Sequence, residues 1–294
     1  MITNELKSKI LAEAKNARKN FTGSDAKFAV TLGISASQYS RVMSGQIDKV
    51  LSDANWISIA RKLNVALNDA PRWEVANTPV FQYITAQLQK CQAEGISSLL
   101  CDFSDIGKSF AAKHYAKNNK NAIYVDCSQV KSKQKLIRYI AKEFGVENNG
   151  KYAEVYEDLV FYLKTLNHPI IILDEAGDLQ YDAFLEVKAL WNATENYCGF
   201  YMMGADGLKE KMHRAINNRK VGYTEIFSRF GKRYGRVIPI DKAESDKLLH
   251  TTAAMIIKAN SSGNVDVNQL LRRTIGEDGR PSLRRIHTEL SKVS

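Results

Sequence analysis

The sequence predicts an α/β fold: a parallel sheet held between helices, with a small helical region before it and another after it. Three observations carry that expectation. Four apolar segments of strand length, "SSLLCDF", "NAIYVDC", "PIIILDEA" and "GFYMMGA", alternate with stretches of helical periodicity. The first of them runs into "CDFSDIGKSF" (101–110), which ends like the G-K-[ST] of a phosphate-binding loop. The third closes on Asp174-Glu175, an acidic pair where an apolar strand leaves the core.

Residues 1–68 read as short helices. "SDAKFAVTLGISASQYSRVMSG" has the spacing of a helix-turn-helix: Ala29 is small enough for two helices to approach, and Gly33 can take the positive φ of a sharp turn. Ser35 is placed to cap the second helix, whose outer face would show Gln38 and Arg41 to DNA. Small bundles of this kind also bind proteins, and both readings stay open. Residues 69–79 hold two of the five prolines and no periodicity, and are expected to be a linker. The sheet and its helices, among them "QKLIRYIAKEF" and "YAEVYEDLVFYLKTL", fill residues 80–240. Residues 241–294 return to helices, broken by "NSSGN" and "GEDGRP".

Composition narrows the partners. The apolar fraction of 44% suits a buried core, and no run reaches the eighteen apolar residues of a membrane span. The four cysteines form no C-x-x-C pair, which argues against a zinc site or a disulfide framework and for a reduced, cytoplasmic protein. The net charge of +10 is unevenly spread. Residues 108–142 carry nine Lys/Arg against Asp126, and residues 209–236 carry nine more against Glu210 and Glu225. Clustered cations attract phosphates, although solvated helix faces look the same in sequence.

The phosphate-loop reading gives each residue a task. The loop Asp105, Ile106, Gly107, Lys108, Ser109 and Phe110 lies between a strand and a helix, where backbone N–H groups and the helix dipole face an anion. Lys108 would reach the terminal phosphates of ATP, and Ser109 and Asp174 would hold Mg²⁺. Glu175 would orient and deprotonate the attacking water. Asp102 and Asp105 stand where glycines are usual; they are expected to keep the loop's shape with side chains turned from the phosphates, and to weaken nucleotide affinity.

The order of helix-turn-helix, "DFSDIGKS", "IIILDEAGDL", "FYMMGADGL", "IFSRFGKRYGRVIPI" and helical tail resembles the AAA+ ATPases that select targets in DNA transposition, the family of the phage Mu B protein. The resemblance implies an AAA+ core with a C-terminal helical lid. It also implies ATP-dependent helical filaments of the protein on double-stranded DNA, without sequence preference, and stimulation of a transposase. It makes Arg229 the arginine finger, with Arg233 and Arg236 as alternatives and Lys232 a weaker one, acting on a neighbouring subunit's nucleotide. Arg284 corresponds to the sensor-2 arginine of the lid. Ala205 stands at the polar sensor-1 position, where either Asp206 substitutes or the sensor is absent, and the departure implies slow hydrolysis, stimulated by DNA or a partner. Lys131, Lys133, Lys135 and Arg138 fall where similar proteins direct cations at DNA phosphates. Two other functions remain: a DNA-binding regulator switched by ATP, and a helicase-loader-like or defence ATPase acting on a protein partner.

Overall fold

The computed structural model describes residues 2–63, 65, 73–261 and 265–292. Its first helices are α1 (Asn4–Lys19), α2 (Asp25–Leu32), α3 (Ala36–Met43) and α4 (Asp53–Lys62). Thr3, Ser24, Ser35 and Ser52 cap them, each side chain accepting a backbone N–H of the first turn. Gly33 closes α2 at φ 73°, the left-handed backbone that lets the chain turn into α3 within three residues. Phe28, Leu32, Tyr39, Val42, Trp56 and Ile59 meet in the bundle's own core.

The central region begins with α5 (Pro79–Glu94), capped by Thr78 and opened by a proline whose missing N–H costs nothing at that position. There follow β1 (Ser97–Cys101), α6 (Lys108–Asn118), β2 (Ala122–Asp126), α7 (Lys133–Glu143), α8 (Tyr152–Thr165) and β3 (Ile170–Asp174). A 3₁₀ turn over Ala176–Asp178 leads to α9 (Tyr181–Ala193), β4 (Gly199–Gly204), α10 (Asp206–Asn217) and α11 (Tyr223–Arg229). The strands form one parallel sheet in the order β1-β4-β3-β2. Every residue of β3 and β4 is buried. Their side chains alternate between two cores: Ile171, Leu173, Phe200 and Met202 face one, Ile170, Ile172, Tyr201 and Met203 the other. The four apolar segments of the sequence are thus the four strands, and continuous apolar character reflects cover on both faces. Beyond β1 the chain returns alongside its outer edge, where Gly235 N donates to Leu99 O at 2.8 Å and Cys101 N to Gly235 O at 3.1 Å.

The last helices, α12 (Lys242–Asn260), α13 (Val267–Thr274) and α14 (Leu283–Leu290), close on Ala253, Ile257, Leu270 and Ile286, with Trp73 packed against them. Of the expected linker, residues 69–72 lie outside the described residues. The remainder is tied down: Glu74 N donates to Asn260 Oδ1 at 2.7 Å, and Asn260 Nδ2 to Glu74 O at 3.1 Å. Among the described residues, no helix is long and apolar enough to cross a membrane.

Candidate nucleotide site

The carboxyl ends of parallel strands leave their loops on one side of the sheet, and the candidate residues gather there. After Cys101 the chain turns through Asp102–Gly107 into α6. Gly107 holds φ 96° as the N-cap, and α6 has no side-chain cap, so its first-turn N–H groups are offered outward. Lys108, 7% exposed, curls under the loop and donates to the carbonyls of Asp102, at 3.0 Å, and Phe103. Burial pushes its ammonium toward deprotonation, while Asp102, Asp174 and Glu175 oppose that.

The two aspartates at glycine positions have different tasks. Asp102 is buried, and its Oδ2 accepts the N–H groups of Val237 at 2.6 Å and Ile238 at 2.9 Å, while Oδ1 accepts that of Phe103 at 2.8 Å. Its charge therefore staples the chain returning along β1. Asp105 takes left-handed backbone, φ 58°. Its Oδ2 accepts the Ser282 hydroxyl at 2.7 Å, and Arg284 Nε lies 3.8 Å from Oδ1. The positive φ expected of such residues holds at Asp105, and the tie to the C-terminal helices was not visible in sequence.

Asp174 ends β3, buried, with Oδ1 accepting the Glu175 N–H at 2.9 Å and Oδ2 the Tyr124 hydroxyl at 2.7 Å. Glu175 follows at φ 49°, open to solvent on one side, and partial desolvation and then Asp174 raise its carboxyl above the ordinary value. Lys211 fixes the turn beyond it, donating to the carbonyls of Gly177 at 2.7 Å and Leu179 at 2.5 Å.

Between this loop and the C-terminal helices lies a cavity of about 340 Å³, lined by Trp73, Phe81, Ile106, Phe110, Leu283 and His287 among others. Trp73 lies tilted against His287 with ring centroids 5.2 Å apart. It packs on the C-terminal helices and also walls an apolar slot beside the loop before α6, of the size and character of a small-molecule site. Trp73 and His287 are 214 positions apart, so no local signal joined them.

The candidate arginines are dispersed. Arg236 rests on the loop of its own chain, its guanidinium 5.3 Å from the Phe103 ring centre and Nε 4.0 Å from Asp102 Oδ1. Arg280 covers the same ring at 4.1 Å. Arg233 and Lys232 are exposed, the latter at φ 54°. Arg229 Nε donates to Asn192 Oδ1 at 2.6 Å, and its guanidinium lies over Trp191, whose Nε1 donates to Ser97 Oγ at 2.7 Å. Ser97 opens β1 and the loop before α6 follows its far end, about 13 Å along the strand, so Arg229 stands near the opposite end of β1 from that loop. Asp206 is the first residue of α10, immediately beyond β4, with Ala205 as its N-cap.

Most of the candidate DNA-contacting side chains have partners within the chain. Lys131 pairs with Asp178 at 3.0 Å and Lys133 with Glu186 at 3.1 Å. Arg138 donates to the carbonyls of Asn148 at 2.6 Å and Gly150 at 2.9 Å. Gln38 completes a capping box with Ser35, and Arg41 Nε donates to Gln46 at 3.0 Å. Lys135 is exposed.

Among the described residues, no group of three or more His, Cys, Asp or Glu side chains is arranged to hold a metal ion. Magnesium needs no such cage, since it takes one or two protein oxygens together with phosphates and water. Ser109, in the first turn of α6, and Asp174, which accepts the Tyr124 hydroxyl, supply hard oxygens of the required kind.

No curated protein matches the chain. Residues 97–212, from the start of β1 into α10, match the family model described as an AAA domain. The chain therefore contains an AAA-type ATPase domain, and the strand ends, phosphate loop and acidic pair described above lie within it.

Proposed function

We propose that this protein binds ATP with Mg²⁺ and, in that state, assembles on double-stranded DNA without regard to sequence, presenting the DNA to a transposase. The observation that carries the nucleotide part is the convergence of Lys108, Ser109, Asp174 and Glu175 at the carboxyl ends of β1 and β3, beside an apolar cavity of a size for a base. Lys108 and the first N–H groups of α6 would cradle the phosphates, and Ser109 and Asp174 would hold the magnesium, which neutralises charge on the β- and γ-phosphates when bound. Glu175 would take the proton of the attacking water. Arg229, near the opposite end of β1 from the loop of its own chain, would serve a neighbour's nucleotide. Asp206 and Arg284 would sense the terminal phosphate, the latter after leaving Asp105. The charge of +10 supports a polyanionic partner, with Lys131, Lys133, Lys135 and Arg138 in the core and Gln38 and Arg41 in α3 as its contacts.

The internal pairing of Lys131, Lys133 and Arg138 favours a second reading, an ATPase that grips a protein partner. Fluorescence anisotropy of a random-sequence duplex, with ATP, with ADP and with neither, separates the two. DNA assembly predicts tight, salt-sensitive binding with ATP alone, rising with duplex length. Negligible duplex binding in all three conditions gives the protein partner precedence, and one preferred sequence makes the chain a regulator.

A further inference from the structure

Tyr124, on β2, reaches the strand end at which the magnesium ligands of the proposed site stand. On β2 it is paired with Ile172, and Asp126 with Asp174, so Tyr124 stands diagonally from Asp174 on the same face of the sheet. Its hydroxyl donates to Asp174 Oδ2 at 2.7 Å, and the Ser109 side chain lies beside it. Lys113, one helical turn beyond Ser109, places Nζ 5.2 Å from the ring centre and steadies the ring from the α6 side. Asp174 Oδ1 is held separately by the Glu175 N–H at 2.9 Å, so the carboxylate is fixed through both oxygens and still has lone pairs for a metal-bound water.

We infer that Tyr124 is a positioning residue for nucleotide-bound magnesium, its hydroxyl fixing Asp174 in the orientation the ion requires. The inference rests on the nucleotide-binding reading above and adds to it a residue that neither motif contains. A buried phenol commonly finds some partner for its hydroxyl. A purely structural tyrosine would therefore affect stability, and would affect metal-dependent and metal-free nucleotide binding alike.

The test is titration of Mg²⁺ into full-length protein with a fluorescent ATP analogue, following the analogue's emission. The chains compared are wild type, Tyr124→Phe, Ser109→Ala and the double variant, each checked by thermal melting. Tyr124→Phe is expected to raise the Mg²⁺ midpoint about 10-fold, in the range for groups that orient metal ligands, while analogue binding in EDTA stays within about twofold. The double variant is expected to lose less than the sum of the single losses, because Ser109 and the Asp174 that Tyr124 orients serve the same ion. A midpoint that is unchanged or lowered, or an equal loss in EDTA, overturns the assignment. A wild-type chain that binds no analogue in either condition overturns the nucleotide reading itself, and is seen before any substitution is made.

Discussion

The carboxylate of Asp105, in the phosphate loop, accepts the hydroxyl of Ser282, the N-cap of the last helix, at 2.7 Å. One residue at a glycine position thus joins the loop to the helices that wall the cavity. Asp105 also lines the cavity, where on the nucleotide reading its charge would repel phosphate. Replacing it by glycine keeps the backbone at ease at φ 58° and removes the repulsion. Asp105→Gly is predicted to bind Mg·ATP several-fold more tightly in calorimetry, at a stability cost of about 1 kcal/mol for the lost hydrogen bond.

Asp102→Gly, which also moves the loop toward the usual pattern, is predicted to do harm. Three backbone N–H groups, of Phe103, Val237 and Ile238, would lose their acceptor at a buried site. The expected loss is about 2–4 kcal/mol of unfolding free energy by urea titration. Two substitutions that look alike in sequence should therefore separate in stability.

These two residues show where sequence reading reached its limit. The strands, "GKS" before a helix and "LDE" at a strand end are local patterns, and the sheet follows from them because parallel strands covered on both faces must be apolar throughout. Asp102 could be seen to need an explanation, but its partners lie 135 and 136 positions away. Tyr124 sits in an ordinary strand pattern, and only the register with β3 brings its hydroxyl to Asp174. Lys131, Lys133 and Arg138 looked free because their partners, Asp178, Glu186 and the carbonyls after Glu147, come from other segments. Charge counts read composition, and pairing is decided by the fold.

Arg229 and Glu175 are predicted to act at one site from two chains. Arg229→Ala should leave ATP binding intact and lower hydrolysis about 10³-fold, and Glu175→Gln should do likewise. Mixing the two inactive proteins should restore phosphate release, since some interfaces then pair an intact glutamate with an intact arginine. If mixing restores nothing while Arg236→Ala abolishes turnover, the arginine is supplied by the same chain.

Glu175 has its carboxyl raised by burial and by Asp174. A base must be deprotonated to act, so a raised pKa moves the loss of activity on acidification to higher pH. The acid limb of kcat for ATP hydrolysis is predicted to fall above the ordinary glutamate value of about 4.5, and to be absent from the residual rate of Glu175→Gln. A limb at or below that value would remove Glu175 from the role.

Calorimetric titration of Mg·ATP into the wild-type chain and into Lys108→Ala tests the central claim most directly. Lys108 is the buried cation among Asp102, Asp174 and Glu175 on which the site is built. Wild type is predicted to bind in the micromolar range, weaker than a glycine-complete loop, and Lys108→Ala to lose at least 10-fold, about 1.4 kcal/mol. Equal affinity in the two proteins, or no binding by wild type, would contradict the account.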